Sequence, residues 1–111
     1  MFGLEFTETV NNDIVSALRY INDVLDAPKA AERHYELLLE KYELIKNNPY
    51  SMQLVRDEYL ASKGIRAYII KNYLLFYKII EEKNIVLITR FLFGRMDWIN
   101  ILTNDENEKK L

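Results

Sequence analysis

Residues 65–91 read IRAYIIKNYLLFYKIIEEKNIVLITRF, and the architecture hangs on them. Ile65, Ala67 and Ile69 alternate with Arg66, Tyr68 and Ile70, the period of two that marks a strand. Lys71-Asn72 is a short turn signal. YLLFYKII then makes a second strand, EEKN a second turn, and NIVLITRF a third strand. Strands joined by turns this short pair antiparallel. Both later runs are apolar on either face, so they are central and covered.

Before this block the period is helical. Val10, Ile14, Leu18, Ile21 and Leu25 recur at spacings of four and three, one face of a first helix. Thr7 is placed to cap it, with Glu8 in its first turn. LDAPKAAE is a stop and a restart, with Asp26 as the expected N-cap and Pro28 in the first turn of the next helix. Ala31, Tyr35, Leu38, Tyr42 and Ile45 continue that rhythm until Pro49 ends it. So short a break folds the two helices into an antiparallel hairpin.

GLEFTE at the start is a short strand with Leu4 and Phe6 on one face. MQLV, from Met52, has the pattern of a further short strand, and VRDEYLASKG reads mostly as connection. After the sheet, Met96, Ile99 and Leu102 in MDWINIL predict a short terminal helix. The expected fold class is α+β: an N-terminal strand and a helical hairpin packed on a twisted, mainly antiparallel sheet. Residues 1–104 are expected to form one domain, with residues 105–111 as a frayed tail.

Composition narrows the chemistry. The 111 residues are half hydrophobic, enough for one core without covalent staples. With no cysteine and only His34, thiolate metal sites, disulfides and a Ser-His triad are excluded or strongly disfavoured. No metal or cofactor is expected, and only three glycines leave no phosphate-cradling loop. MFGLEFTE is no signal peptide and no apolar run could span a bilayer, so the cytoplasm is the expected compartment, with no membrane partner.

The net charge of −2 is unevenly spread. Residues 1–60 carry six Lys or Arg against eleven Asp or Glu, whereas residues 61–95 carry seven against two. Lys63, Arg66, Arg90 and Arg95 fall at strand ends or turns of the basic stretch, and guanidinium forks suit phosphate. Tyr68, Tyr73, Tyr77 and Trp98 could offer stacking faces. Taken one by one, these are as readily ordinary strand residues, and Trp98 reads better as an anchor for the last helix.

The segment VRDEYLASKGIRAYIIKNYLLFYKIIEEKNIVLITRFLFGRMDWINIL resembles the RelE/ParE superfamily of toxins. The resemblance is carried by a glycine before IR-Y, then NYLLFYKI, then a strand ending in R-L-GR-DW--IL, and the N-terminal hairpin agrees in kind. It implies a RelE-like fold and the toxin of a type II toxin–antitoxin pair, a factor in growth inhibition and plasmid stabilisation. A cognate antitoxin would neutralise it, and operator DNA would be met only through that antitoxin.

The superfamily divides by mechanism. RelE-like members cleave mRNA on the ribosome, using clustered basic residues, often with histidine, tyrosine or glutamate, around the scissile phosphate. ParE-like members lack such a set and poison DNA gyrase. If this chain is RelE-like, the resemblance implies Lys63, Arg66, Arg90 and Arg95 as the catalytic set. Phe93, however, stands where many relatives carry histidine, no tyrosine lies near the C-terminus, and an indole is neither acid nor base. The long hairpin and the GRMDW ending lean ParE-like, with Arg95 and Trp98 as target-binding residues. Whether the chain is an enzyme stays open at this point, and an inactive antitoxin-binding relative is the third possibility.

Overall fold

In the computed structural model, which describes residues 1–108, four strands form one mixed sheet. They are β1 (Gly3–Phe6), β2 (Ile65–Ile70), β3 (Tyr73–Ile80) and β4 (Ile85–Phe93), in the order β1-β4-β3-β2. The last three are the predicted antiparallel meander, and β1 joins β4 in parallel, Gly3 against Ile85 to Phe6 against Ile88. The class is α+β, as the sequence indicates.

The hairpin is α1 (Glu8–Arg19) and α2 (Pro28–Asn47). Thr7 caps α1 as its residue type predicts, accepting from the Val10 N–H at 3.0 Å while donating to the Thr89 carbonyl at 2.9 Å. The first helix does not run regularly to Leu25: Tyr20–Val24 widens into a π-helical turn. Asp26 is not the N-cap of α2. It sits in the left-handed region at φ 49°, and Ala27 takes the cap position with no side-chain bond. The chain therefore reverses through Asp26, one of the few non-glycine types that tolerate that conformation.

Val10, Leu38 and Ile45 of the hairpin bury fully against Leu75, Tyr77, Val86 and Ile88. Each such aliphatic contributes about 1.5–3 kcal/mol. The other sheet face carries a second cluster, Leu60, Ile65, Phe76, Leu92 and Leu102. Two helices close it: α3 (Glu58–Ser62), capped by Asp57 accepting from the Leu60 N–H, and α4 (Trp98–Glu108). The stretch read as connection thus holds α3, while MQLV contributes no strand beyond a single bridge, Leu54 to Arg66.

The C-terminal helix is longer than MDWINIL suggests. Residues 105–108, expected to fray, are its final turn, and Glu106 is buried in an ion pair with Lys78. Residues 109–111 lie outside the described residues.

Candidate functional site

One irregularity in β4 governs the basic residues. The register shifts between Phe76 and Tyr77, so Ile88 faces Tyr77, Arg90 faces Phe76, and Thr89 is the extra residue. A bulge re-aims the side chains beyond it. Simple alternation from buried Ile88 would turn Arg90 toward the hairpin. The bulge instead turns it to the side of Phe76, where α4 lies.

There Arg90 is held on both sides. Its Nε and Nη2 donate to the two carboxylate oxygens of Asp13 at 2.8 and 3.2 Å, and its Nη1 donates to Asp105 at 3.2 Å. Asp13 also accepts from the Phe91 N–H at 3.0 Å, on the edge of β4 that extends past the end of β1. Burial alone would lower the Arg90 pKa, but the two carboxylates outweigh it and raise it. Arg90 is a strut between α1, β4 and α4.

The other sequence candidates are scattered. Arg66, paired with Tyr77 and so on the hairpin face, donates to the Met52 carbonyl, and its guanidinium lies 5.4 Å from the centre of the Tyr50 ring. The Tyr50 hydroxyl donates to Glu81, which pushes its pKa up. Lys63 rests 5.4 Å from the Tyr59 ring, before the first rung of β2. Arg95 follows the last rung at the opposite end of the sheet, beyond five residue steps of β2, or on the order of 17 Å. Arg66 and Arg90 lie on opposite faces, and Lys63 and Arg95 past opposite ends.

Arg95 is exposed, as is Lys71 in the β2–β3 turn, which has φ 57°. Gly94 makes that end compact: its N–H donates to the Asn72 carbonyl at 2.7 Å, and a Cβ there would lie 3.2 Å from the same oxygen. Trp98 is half-buried with its ring 5.3 Å from that of Phe76, the anchoring role its residue type suggests. It also borders an open groove with Leu54, Arg56, Ala67, Ile69 and Leu74. Ile69, on the outer strand, is 70% exposed, and beyond Arg66 β2 has no outer neighbour among the described residues.

His34 is half-buried on α2, its Nδ1 2.6 Å from the Ala30 carbonyl and its ring edge-on to Tyr73, and it lines a hollow with Asn72, Tyr73 and Phe93, which also line the depression that Arg95 borders. Among the described residues no cluster of three or more His, Cys, Asp or Glu could hold a metal, and no helix is long and apolar enough to cross a membrane. Asp13, Asp105 and Lys71 went unmarked in the sequence. Asp13 and Arg90 are 77 positions apart, and no local pattern announces such a pair.

Residues 4–98 match the family model of the ParE toxin of the type II toxin–antitoxin system parDE. The chain belongs to this family of toxins. No curated protein matches it in sequence. Among solved structures, this ParE-family chain is similar to the chromosomal ParDE toxin–antitoxin system of P. aeruginosa. The TM-score is 0.65 at 14% identity, over 84% of this chain and 96% of that one. It is also similar to the RelBE2 toxin–antitoxin complex of Mycobacterium tuberculosis, with TM-score 0.59 and 20% identity over 83% and 96% of the two chains. The isolated E. coli RelE toxin gives TM-score 0.55 at 15% identity over the full length of both. At these identities the likenesses establish the RelE-like fold that the motifs imply.

Proposed function

We propose that this toxin acts in the ParE-like manner, arresting growth by poisoning DNA gyrase without cutting nucleic acid. The observation that carries the reading is the occupation of Arg90 by Asp13 and Asp105. Together with the separation of Lys63, Arg66 and Arg95, it keeps these four residues from forming one cluster around a scissile phosphate. General acid–base work also needs a group titrating near neutrality within reach of the reacting proton. His34, the one histidine, lies on α2 against Tyr73, partnered by its own helix, and makes no contact with Arg66 or Arg90 among those described. Arg95 and Trp98, at the exposed end of β4 and the start of α4, are the residues we assign to target contact.

A cognate antitoxin is the neutralising partner in this proposal, consistent with the complexes formed by the structural relatives. The open β2 edge and the groove beside Trp98 offer what an extended segment needs: main-chain hydrogen bonds along a strand and a trough for alternate side chains. Operator DNA would be reached through that antitoxin, in the cytoplasm.

The test is pulse-labelling of new DNA and new protein after inducing the chain alone in cells. DNA synthesis failing first, with a DNA-damage response, is the expected result. Protein synthesis failing first would overturn the gyrase reading in favour of a ribosome-dependent endoribonuclease. Growth unaffected would leave an inactive antitoxin-binding relative.

A further inference from the structure

The break between α1 and α2 opens a cavity of about 420 Å³ walled by Tyr20, Ile21, Leu25, Ala30, Tyr73 and Phe93. It adjoins a second depression of about 360 Å³ to which Lys71 and Arg95 contribute; Asn72, Tyr73 and Phe93 line both. Three departures from regular backbone border this place: the π-helical turn Tyr20–Val24, Asp26 at φ 49° and Lys71 at φ 57°. π-turns and left-handed non-glycine residues are disfavoured, and they gather where a chain uses the shape they create. The walls are also left open to solvent, with Tyr20 49% and Leu25 55% exposed.

Charge indicates what would fill it. Among the described residues lining the two depressions, Lys71 and Arg95 are cationic, His34 adds an imidazole, and no Asp or Glu is present, in a chain of net charge −2. Asp26 is exposed and outside the lining. The first turn of α2, which supplies Ala30, has no side-chain cap, so its dipole adds positive potential. An apolar hole beside a cationic rim suits a side-chain anchor with a neighbouring acid. A nucleic acid strand would call for a longer track of cations than two.

We propose that this double depression is a docking site for a protein segment that inserts one large apolar side chain against Tyr73 and Phe93. A carboxylate within one or two residues of that anchor pairs with Lys71 and Arg95. The site would take such a segment whichever target the toxin has.

A phage library of random short peptides, selected against the whole chain, tests this. Enriched peptides are expected to carry a large apolar residue within two positions of Asp or Glu. Their binding should fall at least about tenfold to Ala30→Leu, which fills the cavity from a helical position, and to the double variant Lys71→Glu/Arg95→Glu. Leu25→Ser, which removes part of the wall at a half-exposed position, replaces Ala30→Leu if that variant melts early. Peptides enriched without acidic residues, equal binding to the filled and charge-reversed chains, or no enrichment would each overturn the proposal.

Discussion

Asp13→Ala should be among the most damaging single changes to a charged residue in this protein. Arg90 and Asp13 side chains are 17% and 14% exposed, so their pairing is mostly out of water. The substitution removes two charge-assisted hydrogen bonds to Arg90 and leaves the Phe91 N–H without its acceptor. An abandoned buried donor costs about 1–3 kcal/mol, and a buried ion pair broken from one side costs about 3–5 kcal/mol. Asp105 remains 3.2 Å from Arg90 and moderates the second figure, so the sum should be about 3 kcal/mol. For a chain of this size that lowers Tm by about 12 °C. Asp105, itself 32% exposed, should cost only about 1 kcal/mol when replaced by alanine. Denaturant unfolding followed by the fluorescence of Trp98, the one tryptophan, measures both. Asp105→Ala costing as much as Asp13→Ala, or Asp13→Ala costing under about 1 kcal/mol, would refute the strut assigned to Arg90.

Arg95→Ala should abolish growth arrest on induction with Tm unchanged, because the side chain is exposed; Arg90→Ala should lose activity only in step with a fall in Tm. Thr7→Ala should cost about 2 kcal/mol, since one hydroxyl caps α1 and bonds the Thr89 carbonyl, whereas Thr7→Ser should keep most of it in the same unfolding assay. Burial pushes the Tyr42 and Tyr77 hydroxyls up to about 12, above an ordinary value of about 10, so the folded chain holds protons that the unfolded chain releases. That stability is whole below about pH 10 and is lost as pH rises toward 12, each tyrosine steepening the fall by up to about 1.4 kcal/mol per pH unit. Denaturation series across this range should show a shallower alkaline fall for Tyr77→Phe.

The sheet and the hairpin could be read because their signals are local and repeated. Period-two runs with turn residues between them fix β2, β3 and β4, and Val10 through Ile45 keep a helical rhythm across the break. Where the sequence misleads, tertiary partners or short length are responsible. The α3 helix has five residues, too few to show a period, although Asp57 stands at the cap. Asp26 has the chemistry of an N-cap but is used where the chain must turn left-handed. The polar end NDENE looks like a tail because Lys78 and Arg90, which hold Glu106 and Asp105, come from distant strands. The same limit applies to the basic residues: Arg90 is visible as a cation, but its direction depends on an extra residue at Thr89 and its neutralisation on Asp13. Arg95 and Trp98 stand out in the sequence as neighbours of a glycine at a strand end, and target contact by them is our proposal, whereas the cavity lined by His34 required the fold.

The position of β1 has a consequence for how the molecule comes into being. Its only strand partner among the described residues, β4, begins 82 residues after β1 does, at Ile85. At synthesis rates of about 5–20 residues per second, the first strand waits on the order of ten seconds for that partner to be made. Contacts so distant along the chain also slow closure after release. Asp105, which completes the grip on Arg90, emerges later still. A nascent chain cut short before β4 would lack both the strand that joins β1 to β3 and the Arg95 surface to which we assign target contact, so on that proposal premature termination yields a harmless fragment.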